Sequence, residues 1–144
     1  PGLREDVSMT TVSQWMTKTV VTVKPHDTVR HARELLSKHR INQLPVVVNN
    51  KLVGIVSDRD IRDAYPSSLR LLRGKDLDDF ADAHIIEEVM TYHVIAVSSE
   101  TSLREAAQRL RRQRLGALPV VDADKLVGII TRSDVLDALL AEDT

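Results

Sequence analysis

The feature that most constrains this chain is an internal repeat. Residues 12–65 align with residues 86–139 at a constant offset of 74, without a gap, and 20 of the 54 aligned positions are identical. LVGIVSDRD at 52–60 returns as LVGIITRSD at 126–134, and Leu44-Pro45-Val46-Val47 returns as Leu118-Pro119-Val120-Val121. Such a repeat makes each copy one supersecondary unit. A unit of 54 residues buries too little surface to be secure alone, so two copies are expected to share their burial, with pseudo-two-fold symmetry and sheet packed on sheet. Residues 1–11 form an N-terminal lead, a cloning remnant or the end of a preceding segment. Repeat 1 spans 12–65, a linker 66–85, and repeat 2 spans 86–140.

Each copy reads as β-α-β-β-α, an α+β fold. A short lead, VSQWMT or IEEVMT, suggests one helical turn. A β-rich run follows, Val20–Val23 or Val94–Val97. The next segment carries apolar residues at helical spacing: Val29, Ala32 and Leu36, or Leu103, Ala106 and Leu110. Asp27 or Thr28 can cap it in copy one. Ser102 and Glu105 form a capping box in copy two. A hairpin comes next. Its strands are Leu44–Val48 and Leu52–Val56, joined by Asn49-Asn50, a pair tolerant of left-handed backbone. Copy two turns at Asp122-Ala123-Asp124. The apolar runs lack alternation, which predicts strands buried on both faces. A last helix starts near Ser57 or Thr131 and carries Ile61 and Ala64, or Val135, Ala138 and Leu139. The linker, with PSSLRLLRG and DLDDFADAH, has room for one helical turn or two.

Composition narrows the function classes. Net charge is −1, with no global basic field of the kind nucleic-acid binding needs. Cysteine is absent, which excludes disulfides and thiol chemistry and fits a reducing, cytoplasmic setting. No apolar run approaches the roughly 18 residues of a membrane span. The five histidines show no metal-ligand spacing. No nucleophile–base constellation is visible, so the chain reads as no enzyme and as needing no cofactor. Trp15 aligns with Val89 and reads as a core or interface anchor that breaks the symmetry of the repeat.

The candidate sites are Ser57-x-x-Asp60 and Thr131-x-x-Asp134. Their plain reading is a capping box, worth roughly 0.5–2 kcal/mol. The functional reading needs the same geometry. A free helix N-terminus attracts a phosphate, a hydroxyl adds a neutral donor, and an Asp accepts from ribose hydroxyls. Gly54 and Gly128 precede the motifs by three. Close packing is favoured for them over clearance for a ligand ring. Arg104, Arg109, Arg111, Arg112 and Arg114 gather on one predicted helix. Several fall in its last turns, where cations complement the helix dipole. The plain reading is a solvated face; the alternative is a dimer contact or an acidic partner's surface.

Taken together, the lead Met-Thr, the β-run, Leu-Pro-Val-Val, Gly-Ile-Val-Ser-Asp-Arg-Asp and its partner Gly-Ile-Ile-Thr-Arg-Ser-Asp resemble the CBS domain. The resemblance covers residues 12–139 and suggests a tandem pair, a Bateman module. SDRDIRDAYPSSL looks most like the acetoin-utilisation, AcuB-type members. The resemblance implies binding of an adenine nucleotide such as AMP, ADP or ATP, or a related adenosyl ligand. It also implies a homodimer and control of a regulated protein whose identity it does not give. It implies crossed clefts. Cleft A would combine Ser57, Arg59 and Asp60 with Thr91, Ile95, Ala96, Gly116, Ala117 and Pro119. Cleft B would combine Thr131, Arg132 and Asp134 with Thr17, Lys18, Val21, Thr22, Asn42, Gln43 and Pro45. The Ser57 and Thr131 hydroxyls would meet phosphate, Asp60 and Asp134 the ribose, and the β-runs the base. Family members often carry His or Arg before Leu-Pro, where this chain has Asn42-Gln43 and Gly116-Ala117. Cleft B, with Lys18 and Arg132, is expected to be the better phosphate site. The rival reading is a ligand-independent module for dimerisation, in which both motifs are only caps.

Overall fold

In the computed structural model, two hairpin turns show the repeat most plainly. Asn49 and Asn50 both have positive φ (51° and 65°), and so do Ala123 and Asp124 (48° and 66°). This is the two-residue turn whose twist matches antiparallel strands, and asparagine enters it at little cost. The structure describes residues 10–65 and 74–142. They fall in two compact units: residues 21–94 form one, and residues 10–20 with 95–142 form the other.

The unit of residues 21–94 holds α1 (Val29–His39), β1 (Gln43–Val48), β2 (Lys51–Ser57), α2 (Asp58–Ala64) and α3 (Gly74–Ala83). Thr28 caps α1 through its hydroxyl, which accepts from the His31 amide at 3.1 Å. Val29, Ala32 and Leu36 face inward with Leu44, Val46, Val56 and Ile61. Each such Val, Leu or Ile side chain fully buried contributes about 1.5–3 kcal/mol relative to exposure. The linker helix is longer than the sequence suggests, ten residues rather than one turn or two. Leu77, Phe80 and Ala81 give it an apolar stripe that reaches this core. Its acidic side pairs with α1, Asp82 with Arg30 at 2.7 Å and Asp78 with Arg33 at 3.2 Å. The PSSLRLLR part of the linker lies outside the described residues.

The second unit holds α4 (Leu103–Arg112), β3 (Ala117–Asp122), β4 (Lys125–Thr131) and α5 (Arg132–Glu142). Leu103, Ala106 and Leu110 pack with Leu118, Val120, Ile130 and Ala138, and Trp15 packs against this cluster. Ser102 caps α4, accepting from the Glu105 amide at 3.1 Å. The expected reciprocal half of that box is not made. The Glu105 carboxylate turns to Arg109, one turn on, at 3.5 Å.

Two further expectations are corrected. The β-runs are not strands; each makes a single parallel bridge, Val23 to Val46 and Val97 to Val120. Val23 donates to the Pro45 carbonyl (3.1 Å) and accepts from Val47 (2.9 Å). The next rung would need an amide proton at Pro45, which proline lacks, so pairing stops. Pro119 stops the second run in the same way. The strands are also not uniformly buried on both faces. β1 and β3 carry unbroken buried stretches, but β2 and β4 alternate in part.

The leads are exchanged. Val12 donates to the Thr101 carbonyl at 2.8 Å, and its repeat equivalent Ile86 donates to the Asp27 carbonyl at 2.8 Å. The lead of each copy is thus a 3₁₀ turn, Val12–Gln14 or Ile86–Glu88, built into the unit that holds the other copy's hairpin.

Candidate functional site

The site begins where a strand becomes a helix. β2 ends at Ser57 in extended conformation, and α2 starts at the next residue. The Ser57 hydroxyl accepts from the Asp60 amide at 3.0 Å, and Asp60 Oδ2 accepts from the Ser57 amide at 2.9 Å. This reciprocal box satisfies two backbone donors that the helix leaves open. It occupies only one carboxylate oxygen. Asp60 Oδ1 takes a longer bond, 3.4 Å, from the hydroxyl of Thr91. Thr91 is delivered from the second lead by an antiparallel bridge, with its amide on the Ile55 carbonyl at 2.8 Å and its carbonyl on the Ile55 amide at 3.0 Å. Hydroxyl, carboxylate and lead threonine of cleft A therefore meet in the unit of residues 21–94.

The other unit repeats the construction. Asp134 donates its amide to Thr131 Oγ1 at 3.1 Å, and its Oδ2 accepts from the Thr131 amide at 2.9 Å. Thr17 is bridged to Ile129 at 2.9 and 3.0 Å. Thr17, Thr131 and Asp134 of cleft B are thus gathered as their counterparts are. Both motifs start helices, as the sequence suggests.

Gly54 and Gly128 are explained by packing. A Cβ on Gly54 would sit 2.7 Å from Met90 Sδ and 3.0 Å from the Thr91 carbonyl oxygen. On Gly128 it would sit 2.7 Å from Met16 Sδ and 3.0 Å from the Thr17 carbonyl oxygen. The missing side chain lets each lead approach its strand closely enough to place the site threonine.

The remaining candidates divide between the units. Val21, Thr22, Asn42, Gln43 and Pro45 lie with Ser57, Arg59 and Asp60, while Ile95, Ala96, Gly116, Ala117 and Pro119 lie with Lys18, Thr131, Arg132 and Asp134. Gln43 is the cross-strand partner of Ser57, and Ala117 that of Thr131. Pro45 and Pro119 are buried, and Val21, Thr22, Ile95 and Ala96 are half-buried. The Asn42 and Gly116 carbonyls accept the Asp58 and Arg132 amides at 3.0 and 3.2 Å, tying the start of each hairpin to the helix after it.

The cations are disposed differently from one another. Lys18 is exposed. Arg59 is exposed and reaches Asp63 at 3.7 Å. The Arg132 guanidinium lies on backbone carbonyls at the end of α4, Leu115 at 2.8 Å and Leu110 at 3.4 Å. It caps a helix C-terminus there, a role not foreseen from sequence. Asp58, its repeat equivalent, pairs with Arg62 at 3.1 Å instead.

The fold and its paired strand-to-helix sites define a module of tandem repeats. Its sequence matches the CBS domain over residues 12–67 and 86–141, and the chain belongs to that family. It is 34% identical to the CBS domain-containing protein DDB_G0289609 of Dictyostelium discoideum, covering 90% of each. It also matches an inosine-5'-monophosphate dehydrogenase of Korarchaeum cryptofilum at 37% identity, of which it spans 21%. Among solved structures it is similar to an acetoin utilization protein (AcuB) from Vibrio cholerae, with 33% identity, TM-score 0.77 and coverage of 92% of each chain. It is similar too to CBSX2 in complex with AMP, the Arabidopsis thaliana CBS-pair protein, with 34% identity, TM-score 0.78 and coverage of 94% and 99%. A third, the CBS domain pair of protein MJ0100 in complex with 5′-methylthioadenosine and S-adenosyl-L-methionine, is 29% identical with TM-score 0.74 and coverage of 94% and 99%. Among the described residues no helix is long and apolar enough to cross a membrane.

Proposed function

We propose that this chain is a regulatory module that binds an adenine nucleotide or another adenosyl ligand and performs no chemistry on it. The observation that carries the reading is the half-used carboxylate. Asp60 and Asp134 each spend Oδ2 on the cap; among the described residues Oδ1 of Asp60 has only the long Thr91 bond and Oδ1 of Asp134 has no hydrogen bond. A carboxylate oxygen beside a helix N-terminus suits a ribose hydroxyl, with phosphate drawn to the helix end. The AMP complex of CBSX2 and the adenosyl complexes of MJ0100 support this ligand class.

In this reading Ser57, Asp60 and Thr91 hold the ribose and phosphate at one site. Thr17, Thr131 and Asp134 act likewise at the other. Arg59 and Lys18 supply charge to phosphate. Arg132 would contribute only by leaving the carbonyls it caps. The ligand acts through its differential affinity for two arrangements of the module, which a regulated protein reads. A homodimer in the cytoplasm fits this role. Leu136, Leu139 and Leu140 of α5 are exposed and offer a contact for it.

The second reading, a module that needs no ligand, is favoured by one observation: both boxes are complete as caps without one. Thermal shift with AMP, ADP, ATP and S-adenosylmethionine separates the two. The regulatory reading expects at least one ligand to raise the melting temperature. No response from any of the four would leave the ligand-independent module.

A further inference from the structure

Among the described residues the repeat places one helix face under an acidic cover in one unit and leaves its equivalent uncovered in the other. In the unit of residues 21–94, α3 lies along the flank of α1 that carries Arg30 and Arg33, and pairs with both through Asp82 and Asp78. At the offset of 74 Arg30 and Arg33 become Arg104 and Ala107 on α4, and Ser37, one turn further along, becomes Arg111. These positions stand at i, i+3 and i+7 and so share one stripe. Arg104 and Arg111 are exposed and make no ion pair among the described residues, and Ala107 between them is half-buried. The main partners of α4 are β3 and α5; no described helix takes the place of α3. The chain enters both units alike. Thr10 gives its carbonyl to the Leu103 amide at 2.7 Å, as His84 gives its carbonyl to Val29 at 2.9 Å.

We propose that the Arg104–Ala107–Arg111 stripe of α4 is a docking surface for an acidic amphipathic helix of a partner protein. The cover that this chain itself uses on α1 shows what fits. It is a helix with carboxylates one turn apart, Asp78 and Asp82, and an apolar stripe of Leu77, Phe80 and Ala81 beside them. On α4 the small Ala107 lets such a helix approach, and the two arginines meet its carboxylates. Arg112, to the other side of α4, and Arg109, already paired with Glu105 at 3.5 Å, lie outside the stripe. This surface does not depend on nucleotide binding.

The test is fluorescence anisotropy with a labelled, helix-stapled peptide bearing the α3 stripe, Asp-Leu-Asp-Asp-Phe-Ala-Asp, titrated with the full chain. The expected result is saturable binding that weakens with added salt. It should fall at least about tenfold in Arg104→Glu/Arg111→Glu, and measurably in the milder Arg104→Gln/Arg111→Gln, with Arg112→Glu close to wild type. Unchanged melting of the variants shows that they are folded. Equal binding by wild type and both double variants overturns the proposal. So does binding that appears only once residues 1–9 are removed, which assigns the stripe to the chain's own N-terminal segment. So does dissociation of a dimer by the double charge reversal with no peptide binding to the wild type, which assigns it to a second copy.

Discussion

The hydroxyl of Thr91 rests 3.4 Å from Oδ1 of Asp60, thirty-one residues away in sequence, while Oδ2 of the same carboxylate closes the cap on α2. One side chain thus serves two purposes, one structural and one open. The cap should be separable from the open role. Ser57→Ala removes the acceptor for the Asp60 amide and should cost about 1 kcal/mol, within the usual 0.5–2 for a lost N-cap. Asp60→Ala should cost a similar amount by urea denaturation and in addition abolish ligand stabilisation of cleft A. Equal losses with the ligand response intact in both would show that Asp60 is a cap and nothing more.

Gly54→Ala and Gly128→Ala should each destabilise the chain by about 1–3 kcal/mol, the usual range for forced overpacking. The new methyl would meet methionine sulfur at 2.7 Å and a carbonyl oxygen at 3.0 Å. That carbonyl belongs to Thr91 or Thr17 and is itself hydrogen-bonded to the strand, so it has little room to move. Met90→Ala should relieve part of the Gly54→Ala loss, because it removes the sulfur and leaves the carbonyl. Chemical denaturation of the two single variants and the double reads the relief directly. Additive losses would contradict the packing account.

Asp122 supplies a pH-dependent contribution that only copy two has. The Ser99 hydroxyl and the Ser99 amide both donate to it, at 2.5 and 3.0 Å, and they hold its carboxyl below the ordinary aspartate range. A carboxyl whose folded pKa is depressed stabilises the fold above its unfolded pKa. That contribution is lost as pH falls through the folded value. The stability gap between wild type and Asp122→Asn should therefore be present at neutral pH and close below about pH 4. Urea melts at pH 7 and pH 3 measure it. A gap that is constant or larger at pH 3 would contradict the assignment.

The single-bridge β-runs predict a pattern of amide exchange. Val23 and Val47 amides are bonded across the bridge, and so are Val97 and Val121. They should be protected, while the Val21 and Ile95 amides, beyond the proline-blocked rung, should exchange markedly faster. Uniform protection along either run would mean that the ladder extends past Pro45 or Pro119.

Much of this was legible because it is local. The gapless offset placed the hairpins, Asn49-Asn50 announced its turn, and the Ser-x-x-Asp and Thr-x-x-Asp spacings announced both caps. The exchange of leads was not legible in periodicity, which does not say which hairpin Met16 and Met90 reach; it was expected only from the family resemblance, which put Thr91 with Ser57 and Asp60 and Thr17 with Thr131 and Asp134. In the residues themselves the trace was the glycine inside β2 and β4, which signals a close neighbour without saying which. The role of Arg132 was hidden for a similar reason. Its partners are backbone carbonyls seventeen and twenty-two residues earlier, and a carbonyl leaves no mark in a sequence. The length of α3 was underestimated because its apolar stripe is short and its acidic residues read as solvated. Their partners, Arg30 and Arg33, lie more than forty positions back.

The central claim is that Asp60 and Asp134 hold an adenosyl ligand. Isothermal titration calorimetry with AMP, on wild type, each single Asp→Ala variant and the double, tests it most directly. The account predicts saturable binding with Kd on the order of micromolar. A site should be lost with each Asp that carries one, and no heat of binding should remain in the folded double variant. Binding that survives unchanged in Asp60→Ala/Asp134→Ala would contradict it.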